Sequence, residues 1–199
     1  MKHSCLTLVS VFLMSLTVFS QGAGQQRPSS LYISYDTPPR SWKDAIARAN
    51  LVAVVRLTKE SPALVEMGLP HLQYESAVVE VVAGDRAAVT GRTVTILRLG
   101  GTREVGGRFR GVQEEGFPAW QIGSTLLVFL KWAEGYKGYV LPFGPDSVFE
   151  RDPSTMKVRA SGHGALAARQ NGRLFEELLR DVRAQSTEAL LIRAPRDRH

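Results

Sequence analysis

Alternating and continuous apolar runs dominate the middle of the chain and predict a mainly β protein. In LVAVVRL the alternate positions Leu51, Ala53, Val55 and Leu57 are apolar, while Arg56 breaks the other set, so a strand with one fully buried face is expected. A loop (KESPALVEMGLPH) leads to LQYESAVVEVV, where Ala77, Val79 and Val81 are expected on one side and Ser76 and Glu80 on the other. Ala83-Gly84-Asp85 reads as a turn. The next strand, Arg92 to Leu99, carries Val94, Ile96, Leu97 and Leu99; its β-branched content suits a pleated surface. STLLVFLKW is apolar on both faces between Leu126 and Leu130, as a strand covered on each side must be. Gly135 marks a turn into KGYVLPF, and Asp152-Pro153-Ser154-Thr155 is a hairpin loop between SVFERD and MKVRA.

Helical spacing occurs at both ends of this region. Ser41 stands three residues before Asp44, in the manner of a capping box, and Trp42, Ala45, Ile46 and Ala49 fall on one face of a short helix. Leu174, Phe175, Leu178, Leu179 and Val182 form an apolar stripe to about Ala184, with a flexible tail expected over 187–199. Short strands separated by turn signals, with a helix at each end, predict a sandwich or small barrel. A barrel also protects strand edges.

The start of the chain has a different pattern. Lys2 and His3 precede an apolar run of about 14 residues, Leu6 to Phe19. A spanning helix needs roughly 20 residues to cross about 30 Å of hydrocarbon, so the run suits the core of a cleavable signal peptide over residues 1–24. Small residues at Ser20, Gly22, Ala23 and Gly24 allow cleavage after Gly22 or Gly24; a buried helix and an uncleaved anchor are the alternatives. The polar, Pro-bearing stretch 25–40 reads as a linker or an arm along a domain of residues 41–186. Cys5 is the single cysteine and lies ahead of the apolar core, which disfavours a lipoprotein. It leaves with the leader, so the mature chain is expected to have neither disulfides nor thiolate chemistry.

The order of the strands resembles that of netrin/TIMP-like (NTR) domains of secreted bacterial proteins. The resemblance rests on ANLVAVVRL, on YESAVVEVV running into AGD, on GRTVTILRLGG, and on WQIGSTLLVFLKW followed by GYVLPFG, within about Ser41 to Arg159. It implies a small Greek-key OB-like barrel of five strands, packed against the C-terminal amphipathic helix. One departure matters: eukaryotic inhibitors of this type chelate a protease's zinc with a mature N-terminal cysteine, and none survives leader removal here.

The 199 residues, 44% apolar and 22% charged, fit one globular domain plus a leader. The formal charge of +6 is spread along the chain rather than packed in a block, favouring weak attraction to anionic surfaces. His71, His163 and His199 have no metal-ligand spacing; no metal and no cofactor is expected. His71, next to Pro70, reads as a loop residue. His163 lies in Ser161-Gly162-His163-Gly164, where the glycines either bring the backbone close to a ligand or form a flexible turn. Ser124 is not on a nucleophile elbow, and Glu104, Glu114 and Glu115 read as solvated carboxylates.

The glycine-rich segment Gly100 to Gly111 is the most suggestive. Arg103, Arg108 and Arg110 can grip an anion through forked donors, with Phe109 and Trp120 as stacking surfaces for a single strand; otherwise it is a long connecting loop whose glycines serve turns. An exported, non-enzymatic binding domain follows, periplasmic or extracellular. Its expected partner is an envelope or extracellular protein or an anionic polymer, and nucleic acid is disfavoured by export. An exported hydrolase with dispersed residues and an oligonucleotide-binding OB-fold are the alternatives.

Overall fold

The computed structural model describes residues 35–66, 69–84, 89, 92–105, 108–112 and 117–193; over 62–66, 69–70, 102–105, 108–112 and 188–193 only the backbone is described. The leader, the arm as far as residue 34, Asp85, Glu114, Glu115 and His199 lie outside the described residues. Nine strands and three α-helices are described. Helix α1 (Trp42–Arg48) begins as its sequence predicts, with the Ser41 hydroxyl accepting from the Asp44 N–H at 3.2 Å. The Asp44 carboxylate in turn accepts from the Arg40 N–H at 3.1 Å.

The protein is mainly β. Strands β1 (Leu51–Glu66), β2 (Leu69–Gly84), β3 (Thr93–Leu99), β6 (Thr125–Ala133), β7 (Gly138–Val140), β8 (Val148–Arg151) and β9 (Val158–Ala160) form one sheet in the order β1-β2-β3-β7-β6-β8-β9. Strand β1 also pairs with β6, from Leu51↔Leu130 to Arg56↔Thr125, so β1, β2, β3, β7 and β6 close into a ring. The pairings are antiparallel except β3 with β7.

Closure explains why β1 and β6 are apolar on both faces. Leu51, Ala53, Val55 and Leu57 of β1 and Leu126, Val128 and Leu130 of β6 join an inner core with Tyr74, Ile96, Phe117 and Trp120. Val52, Val54, Leu127 and Phe129 face the other way, into an outer core with Trp42, Phe149, Phe175, Leu178 and Val182. Helices α1, α2 (Ala165–Ala168) and α3 (Phe175–Arg193) contribute to that outer layer. The single buried face expected for β1 is thus corrected: both faces are buried as far as Val55, and Arg56 is the first exposed residue.

Three further expectations change. The segment expected as a loop at 59–71 is the far end of a long β1–β2 hairpin, with Val65 opposite Pro70 and Leu64 opposite His71. His71 is therefore a strand residue, its ring 5.1 Å from that of Tyr136. The facing of β2 is also reversed over its middle: Ser76 is wholly buried, whereas Val79 is 60% exposed. The cause is a pair of bulges. Opposite β1 the register passes from Ala83 to Val81 and from Glu80 to Val78, leaving Val82 and Val79 as extra residues that shift the alternation. Finally, the glycine-rich segment is a two-stranded sheet of its own, β4 (Gly101–Val105) with β5 (Arg108–Val112). Gly100 and Gly101 lead into it with φ of 139° and 102°, values that favour glycine.

Helix α3 runs beyond the predicted stripe, to Arg193, and is tied to the bulged strand. The Ser186 hydroxyl donates to the Val82 carbonyl at 2.9 Å, and Arg183 forks onto the Glu80 carboxylate at 2.8 and 2.7 Å. At the other edge, the expected turn after β8 forms around Asp152. Its carboxylate accepts from the Ser154 and Thr155 N–H groups and the Ser154 hydroxyl, which hold it well below the usual carboxylate range.

Candidate functional site

Of the residues singled out in the sequence, Trp120 and His163 are fully described, and they do not meet in one cleft. Strand register sets Arg103 opposite Arg110, with Arg108 two positions earlier on β5 and opposite Val105; their side chains lie outside those described. Trp120 is 94% buried in the inner core, its ring 4.9 Å from Tyr74 and edge-on to Phe117 at 5.6 Å. Its faces are occupied by the protein, which corrects its reading as an exposed stacking surface.

Sequence reasoning missed the residue that holds Trp120 in place. Arg98, in the apolar strand β3, is almost fully buried and donates to the carbonyls of Pro118, at 2.6 Å, and Phe117. Its guanidinium lies 3.8 Å from the centre of the Phe117 ring, so it clamps segment 117–120 against the inner core. Beside it, burial pushes the Tyr74 phenol up to about 12, with the Glu60 carboxylate adding to the shift. The sequence signal was a charge set between Leu97 and Leu99 at the apolar end of the strand.

His163 is exposed, and its flanking glycines serve another group. A Cβ at Gly162 would collide with the Asp146 carboxylate, and one at Gly164 would stand 2.7 Å from Asp146 Oδ1. The Gly164 N–H donates to that oxygen at 2.9 Å. Both glycines therefore let the backbone close over a buried carboxylate of the protein itself. Desolvation raises the Asp146 pKa, opposed by the Gly164 hydrogen bond and by the charge of His163. Among the described residues no group of three His, Cys, Asp or Glu side chains can hold a metal ion, and no helix is long and apolar enough to cross a membrane.

Two concave surfaces remain. A cleft of about 560 Å³ opens between the start of α1, α2 and the flank of α3. Trp42 and Leu166 give it an apolar part, and Arg40, Arg169 and Arg173 line its rim. Asp181 holds Arg173 at 3.0 Å, and Gln170 accepts from it at 2.7 Å. Arg40 and Arg169 have no acidic partner among the described residues, so the cleft carries uncompensated positive charge. A second cleft, of about 320 Å³, lies beside Arg56 of β1, the start of β6 and the end of β8, and shares no lining residue with the first. The pairs that build these surfaces, such as Arg40 with Arg169, are far apart in sequence and left no local motif. No protein family and no curated protein matches the chain.

Proposed function

We propose that this chain is an exported, non-enzymatic binding domain, built on an OB-like Greek-key barrel of the netrin/TIMP-like kind, and that it docks an acidic partner at the cell envelope. The five-strand ring with a terminal helix against it is the arrangement that the sequence resemblance implies, and the leader-like start of the chain supports export. The observation that carries the binding reading is the cleft between the helices. It has the 300–1,000 Å³ expected of a ligand site, an apolar part for contact area, and two arginines free to meet carboxylate, sulfate or phosphate groups. An acidic envelope protein or polysaccharide fits that chemistry.

The test compares the full chain with an Arg40→Glu/Arg169→Glu double variant for retention by envelope extract and by an acidic polysaccharide. Retention is expected to fall by about tenfold or more in the variant, equivalent to about 1.4 kcal/mol, and to weaken as salt is added. Equal retention of the two proteins removes the reading. Export is tested separately, by N-terminal sequencing of the accumulated protein: a start just after Gly22 or Gly24 supports it, and intact Met1 on cytosolic material refutes it.

A further inference from the structure

We infer that the smaller cleft, where β6 begins and β8 ends beside Arg56 of β1, is a second and independent binding site that takes an oxyanion group through Arg56, Thr125 and Arg151. The argument begins with register. On β6, Thr125 is paired on one side with Arg56 of β1 and on the other with Arg151 of β8. Directly opposed residues point to the same face, so the three side chains form a row across three adjacent strands, with the threonine hydroxyl between two guanidinium groups. Each step across a ladder separates Cβ atoms by about 5 Å, which sets the two arginines roughly 10 Å apart at their bases. Both side chains are long enough to converge over Thr125.

The charges in this row are unanswered. Arg151 reaches the Thr125 hydroxyl only at 3.5 Å, and its Nε is buried with no hydrogen-bond partner among the described residues. Arg56 is exposed and has no acidic partner there either. The nearby acids are committed elsewhere. Glu150 also lines the cavity, but it accepts from the Ser124 hydroxyl at 2.7 Å and lies 3.6 Å from Arg159. Asp152 holds its own turn and lies 3.6 Å from the Arg159 Nε. Arg159 lies 3.6 Å from each of two carboxylates, and the cavity lining sets three arginines, Arg56, Arg151 and Arg159, against the single carboxylate of Glu150. The wall of that cavity is the turn 121–124, in which Gly123 has φ of 94° and its N–H donates to the Leu57 carbonyl at 2.9 Å. A built turn, two forked donors and a hydroxyl around one space are the elements of oxyanion recognition. The volume also leaves room for the small group that carries the anion.

The experiment is thermal unfolding of the full chain in increasing sodium phosphate, sulfate or acetate, against sodium chloride at equal ionic strength. A saturable rise in Tm of roughly 3–6 °C beyond chloride, at ten or more times Kd, is expected for at least one oxyanion. Phosphate or sulfate acting alone identifies a tetrahedral group as the ligand, and acetate acting alone a carboxylate. The Arg56→Gln variant, at an exposed position, should fold normally and lose the shift, whereas Arg40→Gln/Arg169→Gln should keep it, separating this site from the cleft between the helices. Arg151→Gln should lose it too; if that variant does not fold, Arg56→Gln decides. A response no larger than that to chloride, or one that Arg56→Gln leaves unchanged, overturns the inference.

Discussion

Inside the ring of strands, aliphatic side chains such as Leu51, Val55, Ile96 and Leu126 meet one another, and Arg98 and Tyr74 stand with Trp120 and Phe117. On the outer face of the same strands, Phe129 and Phe149 meet Trp42 of α1, stacked at 5.8 Å and edge-on at 5.4 Å. The inner core is enclosed by ladders that satisfy their own backbone groups. The outer core is enclosed by helices that must be fastened to the sheet by side chains, as Ser186 and Arg183 do. A covering made of separate pieces leaves gaps, and the larger cleft lies between α1, α2 and α3, while the row Arg56–Thr125–Arg151 lines the smaller cleft, which no helix lines.

Several substitutions test this contrast. Phe129→Ala in the outer core should cost the most, about 3–5 kcal/mol, because it opens a cavity beside Trp42 and Phe149 that the sheet cannot close. Denaturant unfolding measures it, and a loss under 1 kcal/mol would mean that the helices follow the sheet rather than being held by packing. In the inner core, the raised Tyr74 phenol gives a test by pH. Between pH 10 and about 12 the unfolded chain releases this proton while the folded chain keeps it, so stability falls as pH rises, by on the order of 2–3 kcal/mol. Tyr74→Phe should remove that alkaline slope, which unfolding titrations at pH 9 to 12 would register.

The fastenings between the layers should matter less. Ser186→Ala leaves the bulged Val82 carbonyl without its donor and should cost about 1 kcal/mol by denaturant unfolding. Glu80→Gln removes an exposed forked ion pair and should cost only about 0.5 kcal/mol, fading in high salt. Should Glu80→Gln prove costlier than Ser186→Ala, charge rather than the buried hydrogen bond would be the main fastening of α3.

Sequence pattern and structure agree where a local signal is enough. The Ser41 cap, the two-faced β6, the turn at Asp152 and the stripe of α3 depend on residues within a few positions of one another. Disagreement begins where tertiary context decides. Pro62 and Pro70 read as loop punctuation, yet both stand in the hairpin: Pro70 pairs with Val65, and Pro62 falls at an irregularity between Ser61 and Leu64 beyond which the pairing resumes. The bulges at Val79 and Val82 reverse an alternation that no local pattern marks, because the extra residues are valines like their neighbours. The glycines around His163 were legible as a close approach, but not as an approach to Asp146, 17 residues earlier in the chain. Both clefts unite arginines from distant segments, and evenly spread charge hides such pairs until the chain has folded.

Strand β6 has a consequence for how the molecule exchanges hydrogen with water. From Thr125 to Val128 it is flanked on one side by β1 and on the other by β8, and from Lys131 to Ala133 it is flanked by β7. No fraying of a single edge uncovers the amides from Thr125 to Val128, since each lies between ladders that belong to different parts of the sheet. Deuterium should enter them last, at a rate governed by global opening, so their protection reports the free energy of the whole molecule, while amides of β9 report only local breathing.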